Sequence, residues 1–428
     1  MNKTAERSVV TELLADVKLP EMARARQIFD RPVIEDLRAE VRAELSKDEI
    51  SSCIKPGMRI AITSGSRGVA NIALVTREIV GFLKEKGAVP FIIPTMGSHG
   101  GATAEGQRRI IEEYGVTEEY CGCEILSSME VKHIGCTDEG HKVLIDKYAA
   151  ESDGIIVLGR IKAHTEFRGP YESGLMKMIT IGLGKQQGAE VCHEAGFKHM
   201  GKLVPLFANA ILEQAPILFG VGLIENAYDE TCVVKALTPA QIREEEPALL
   251  IRAKELMAKI WIEDVDVLIV DKIGKDISGN GADPNITGKF STPWAAGGID
   301  AQRSVVLDLT DATHGNATGV GVFDSTTRRL FDKMSFEATY PNAITSTVLL
   351  VGHIPLVLEN DRDAIAIALK SCNETDKENP RVIRIRDTMH LDEILISKAL
   401  IEEAREHPNM EVIGEPMGFP FDPEGNLW

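Results

Sequence analysis

What the 428-residue sequence lacks narrows its class first. It has no run of about eighteen apolar residues, so no membrane-spanning helix is expected. Its first residues, "MNKTAERSVVTELLADVKLPEM", have no uncharged apolar core, so no secretory leader is expected. Positive charge is in deficit. Lys and Arg number 47 against 65 Asp and Glu, a net charge of -18. That balance argues against nucleic acid or an acidic membrane as the main partner, while a local cationic pocket for an anionic substrate stays compatible with it. The seven cysteines, Cys53, Cys121, Cys123, Cys136, Cys192, Cys232 and Cys372, are odd in number and scattered. They fit a reduced, cytoplasmic protein rather than a disulfide scaffold. The close pair "CGC" at 121–123 lacks the second pair or histidine cluster that a zinc site needs. No repeat of about 20–50 residues and no low-complexity tract is found.

What is present is ordinary soluble composition, 44% hydrophobic and 26% charged, in a chain long enough for two cores. Short apolar runs alternate with helical periods. "GMRIAIT" (57–63), "AVPFIIPT" (88–95), "DGIIVLGRI" (153–161) and "APILFGVGLIEN" (215–226) read as strands. Residues 69–87 and "VPLFANAILEQ" read as helices, with Gly87 as a stop and Thr103 as the N-cap of "AEGQRRIIEEYG". A second series runs through 263–274, 303–310 and 346–360, with a hairpin expected around "GNATGVGVFDSTTRRLFDKM". The helix over 248–262 joins the halves, and the boundary is placed near 260. The expected fold is α/β, with two domains, each a mostly parallel sheet flanked by helices. The last twenty or so residues are expected to pack back on the first domain.

Ligands of such sheets bind beyond the carboxyl ends of the strands. Three loops in the first half qualify. "SGSRGVANI" offers Ser64, Gly65, Ser66 and Arg67 before a helix, which suits an anion or a plain glycine turn. "MGSHGGAT" carries His99 among glycines, placed either to meet a ligand or to cap the next helix. "RIKAHTEFRGPYESG" carries His164 beside Arg160, Lys162 and Arg168, a basic run in an acidic protein or a solvated loop. In the second half, "DKIGKDISGNGADPNITGKFSTP" is the densest polar loop, with Lys272, Lys275 and Lys289. His314 lies in a similar setting.

Lys177 in "SGLMKMITIGLG" raises a separate question. Its near neighbours are small or apolar, so its ammonium must snorkel to the surface or be used chemically. Lys185 in "GLGKQQGA" is read as an exposed charge at a helix start. His193 follows Lys177 by sixteen residues and is either a metal ligand or an ordinary helix-end histidine.

The ordered set Arg67, His99, His164, "SGLMK" ending at Lys177, and His193 resembles the lactate racemase family, enzymes that use a nickel-pincer nucleotide. The resemblance implies that Lys177 tethers the cofactor (pyridinium-3,5-bisthiocarboxylic acid mononucleotide nickel) and that His193 ligates nickel. It implies that His99 and His164 are acid/base groups and that Arg67 and Lys289 meet substrate. Ser64, Gly65 and Ser66 are expected to hold the cofactor phosphate. Residues 1–260 would bind cofactor and catalyse, residues 261–428 would close over substrate, and the active site would lie in the cleft between them.

Departures from the family pattern surround the substrate. The family's Asp-x-x-Arg-Pro loop reads "SGSRG" here, His99 is followed by Gly100-Gly101, and the His164–Lys177 gap is about three residues longer. The implied activity is therefore a nickel-dependent racemase or epimerase of a 2-hydroxy acid other than lactate. The cofactor's biosynthetic enzymes would be its partners, with neither nucleic acid nor membrane. The alternatives are a cofactor-free protein binding a sugar acid or nucleotide, or a zinc site built from His99, His164 and His193.

Overall fold

The computed structural model describes residues 9–66, 68–97 and 99–428. Arg67 therefore lies outside the described residues. The chain divides into two compact units, one of Asp30–Met257 and one of Met1–Phe29 with Ala258–Trp428.

The Asp30–Met257 unit is built on a five-stranded sheet. Val89–Pro94, Arg59–Ser64, Gly154–Arg160 and Ile217–Glu225 are parallel neighbours in that order, and Thr231–Leu237 closes the edge antiparallel. The four apolar runs read as strands form this sheet. Successive side chains enter opposite cores, as the two-residue period of a strand demands. Ile60, Ile62, Ile92, Ile156 and Leu158 enter one core, while Ala61, Phe91, Ile93, Ile155 and Val157 enter the other. Both faces are covered by helices, which is why these strands are apolar without alternation. The Ile72–Glu85 helix ends before Gly87 at φ +81, and Thr103 accepts a hydrogen bond from Gly106 N–H to cap Ala104–Glu113.

The other unit carries an eight-stranded sheet. Leu356–Leu358, Ser325–Thr327, Asp300–Leu309, Asp264–Ile273 and Val382–Ile385 run parallel. Glu393–Ser397, Met22–Gln27 and Met410–Met417 extend the sheet antiparallel.

Three sequence expectations change here. Residues 1–29 leave the 1–260 segment, because Met22–Gln27 is hydrogen-bonded between the Glu393–Ser397 and Met410–Met417 strands. The chain's last residues pack within the same unit, with Phe419, Phe421 and Leu427 against its core. No hairpin forms over 315–334. Ser325–Thr327 pairs in parallel on both sides and leads into the Arg328–Lys333 helix, which Thr327 caps.

Candidate active site

The segment from Leu175 to His193 is a broken helix. A short α-helical piece, Leu175–Lys177, runs into a π-helical stretch, Met178–Gly182, and then into Lys185–His193. π segments place side chains out of the ordinary register and recur at functional sites. Leu175, Met176, Ile179 and Leu183 are fully buried in the unit's second core, so the segment is anchored by its apolar face. Its start is fixed by Glu246 of the Pro239–Leu256 helix, whose Oε2 accepts Met176 N–H at 3.0 Å. Burial pushes the Glu246 carboxyl up to about 8, against hydrogen bonds from Met176 and Leu175. Gly174 leaves room for this carboxyl, since a Cβ would sit 2.0 Å from Glu246 Oε1.

Lys177 does not snorkel freely. Its Nζ lies 2.6 Å from His164 Nε2. His164 follows the Gly154–Arg160 strand, is 9% exposed, and rests on the Phe167 ring at 4.3 Å. Glu166 N–H donates to His164 Nδ1 at 3.0 Å. That places the proton of a neutral imidazole on Nε2, facing Nζ. The contact is then a hydrogen bond when Nζ is an amine and a repulsion when it is an ammonium. Burial first, then positive charge at Lys177, His193, Arg168 and Lys162, holds His164 well below the usual histidine range. His193 ends the Lys185–His193 helix and is pushed down to about 4, again by burial and then by Lys177. The Phe197 ring links the two histidines, 6.3 Å from His164 and 5.7 Å from His193. Lys177, His164 and His193 are thus one cluster, and both imidazoles are neutral near pH 7.

The other loops converge on the same segment. Met178, next to Lys177, accepts from Thr95 Oγ1 at 3.2 Å, and its Cε lies 3.0 Å from where a Cβ on Gly65 would be. Ser64 is buried at the end of its strand, and its carbonyl accepts Thr95 N–H. Ser66 accepts from the Tyr114 hydroxyl at 3.4 Å. In the His99 loop, a Cβ on Gly97 would lie 3.6 Å from Ile181 and Ala189. His99 is half-buried and does not cap the next helix, which Thr103 does instead.

Several expectations are corrected. Lys185 is not a surface charge. It is fully buried at φ +53, with Nζ donating to Pro94 O at 2.8 Å and to Gln107 Oε1 at 2.6 Å, and 3.7 Å from Asp146 Oδ2. The basic run around His164 is largely internal. Arg160 pairs with Glu225, and Arg168 donates to His164 O and pairs with Glu172, which also binds Lys254 at 2.6 Å. Lys289 belongs to the other unit. Its Nζ donates to Ala301 O at 2.6 Å, at the amino end of the Asp300–Leu309 strand, and burial lowers its pKa. That is the end of a parallel strand opposite to the one where ligands bind. Glu246, Glu172 and Phe197 escaped the sequence reading because their roles arise from packing across distant segments. No group of three metal-ligating side chains occurs among the described residues, so the zinc alternative finds no such cluster there.

With this geometry in view, comparison with known proteins finds two kinds of likeness. The family model described as lactate racemase N-terminal domain matches residues 11–202. Those residues are thus similar to the lactate racemase N-terminal domain. The chain is similar in fold to the lactate racemase apoprotein from Thermoanaerobacterium thermosaccharolyticum. The TM-score is 0.52 at 16% identity, over 85% of this chain and 98% of that one. A protein from Thermotoga maritima matches with TM-score 0.49 and 12% identity, over 65% of this chain and 72% of that one. No curated protein matches.

Proposed function

We propose that this protein is a racemase or epimerase of a 2-hydroxy acid that works with a lysine-tethered nickel-pincer nucleotide. The observation that carries the reading is the 2.6 Å contact between Lys177 Nζ and His164 Nε2, with His193 in the same cluster. The donor set fits the cofactor. Lys177 Nζ, once it has lost its proton, is the nucleophile that an acyl tether needs. A neutral, half-buried imidazole at His193 is the form that binds a transition metal. Ser64, Gly65 and Ser66 are the backbone proposed to hold the cofactor phosphate.

When bound, the cofactor supplies a hydride acceptor, so configuration is lost without a Cα carbanion. The chain's part is proton handling. His164 and His99 alternate in accepting and returning the substrate's hydroxyl proton. Phe167 and Phe197 pack on His164, whose burial keeps its imidazole neutral, and Nε2 accepts only in the tautomer that carries the proton on Nδ1. Arg67 is the cation proposed for the substrate carboxylate. Lys289, whose Nζ donates one hydrogen bond to Ala301 O, is the second cation proposed to meet substrate. Delivery of the cofactor implies partnership with its biosynthetic enzymes.

The test is a panel of 2-hydroxy acids, sugar acids included, offered to protein produced with nickel and those enzymes. Interconversion of the epimers of at least one is expected, and it is lost in His99→Ala and His164→Ala with cofactor still bound. His193→Ala should lose its nickel. Full nickel retention by His193→Ala, or no interconversion across the panel, would overturn the reading.

A further inference from the structure

The buried ammonium of Lys185 has no place in the chemistry above, yet it is among the most completely enclosed charges in the unit. Burying a charge is costly unless it is paired and hydrogen-bonded. Here three partners meet it. Pro94 O is the last carbonyl of the Val89–Pro94 strand, Gln107 lies on the Ala104–Glu113 helix, and Asp146 supplies the countercharge at 3.7 Å. Asp146 is itself held, with Oδ1 accepting Tyr148 and Ala149 N–H and its own N–H donating to Leu183 O. A lysine at φ +53 adopts a backbone conformation that side chains disfavour, so the network holds it against local strain.

The network leads to the His99 loop. Gln107 is fully buried, and with Oε1 engaged by Lys185, its Nε2 must point the other way. Nε2 donates to Gly97 O at 2.8 Å and to His99 O at 3.3 Å. Swapping the amide's ends would set two N–H donors against an ammonium and a carbonyl against two carbonyls. Lys185 therefore fixes the orientation of Gln107, and Gln107 fixes the loop by its carbonyls. Gly100 packs close on the Ala104–Glu113 helix, since a Cβ there would sit 2.5 Å from Gly106 C.

We propose that Lys185 and Gln107 form a positioning relay for His99, with Lys185 orienting the Gln107 amide and the amide clamping the Gly97 and His99 carbonyls. The effect on turnover rests on the acid/base role proposed for His99. The effect on the loop does not.

The experiment separates the two. Histidine-labelled, cofactor-free protein is compared by imidazole NMR as wild type, Gln107→Met, Gln107→Glu, Lys185→Met and the exposed control Gln187→Ala, with the His99 signal assigned from His99→Ala. The relay predicts that the His99 signal moves and broadens in the first three variants while the His193 signal and the control stay as in wild type. Gln107→Glu keeps an acceptor for Lys185 and removes only the donors, so it decides the matter if Gln107→Met or Lys185→Met does not fold. In cofactor-loaded enzyme, Gln107→Glu is expected to lose kcat by about tenfold or more, as misplaced catalytic groups do, with KM within about twofold and the Lys177 adduct intact. A His99 signal at its wild-type position in both folded Gln107 variants would overturn the relay. A shifted signal with no turnover in any form, wild type included, would instead overturn the racemase reading and leave the relay standing.

Discussion

At the scale of single residues, the pair Lys177 and His164 makes a prediction independent of any cofactor. Positive charge at Lys177 is the second cause, after burial, of the depressed His164 pKa. Lys177→Met removes that charge, so the His164 titration midpoint should rise but stay below the ordinary histidine value, because burial remains. Imidazole NMR across pH checks it, and an unchanged midpoint would show that the two side chains are not in contact in solution. Residue chemistry also limits what the sequence could reveal. Lys177 was conspicuous among apolar neighbours. Lys185, eight residues later, sits among glycines and glutamines and reads as exposed. What buries it is a left-handed backbone and a glutamine 78 residues upstream, neither of which has a local signature.

At the scale of elements, the start of the helix bearing Lys177 depends on Glu246. A carboxyl whose folded pKa of about 8 exceeds its usual 4.5 stays protonated in the fold. The stability it contributes is fully present below about 4.5 and is lost as pH rises through about 8. Glu246→Gln should therefore flatten the fall in melting temperature over that window. Glu246→Ala, leaving Met176 N–H buried without its acceptor, should cost about 1–3 kcal/mol. Thermal melts across pH measure both, and an identical slope in wild type and Glu246→Gln would contradict the assignment. Gly174→Ala should cost about 1–3 kcal/mol, because its methyl group would displace the Glu246 carboxyl that accepts Met176 N–H. The "SG" before "LMK" thus has a packing reason as well as the family one. The buried strands were legible because both faces of each enter a core. The Met22–Gln27 strand was not, since "MARARQ" hides its inward alanines between arginines paired to Glu393 and Glu411 on its exposed face.

At the scale of the whole molecule, the division of the chain follows hydrogen-bonded sheets rather than sequence order. A fragment of residues 30–257 should fold and melt cooperatively, since its sheet takes no strand from outside it. Residues 258–428 alone should not, because Met22–Gln27 is paired on both edges within their sheet. Adding residues 9–29 to that fragment should restore cooperative melting, and a stable fold without them would contradict the topology. Length and alternating pattern pointed to two α/β units, but no linear boundary could place the first strand in the second unit.

The central claim is that Lys177, not Lys185, is the covalent anchor of the site. It is tested most directly by mass spectrometry of peptides from protein produced with nickel and the cofactor's biosynthetic enzymes. A mass increase confined to the peptide containing Lys177 is expected, absent in Lys177→Met and retained in Gln107→Glu. An unmodified Lys177, or an adduct on Lys185, would contradict it.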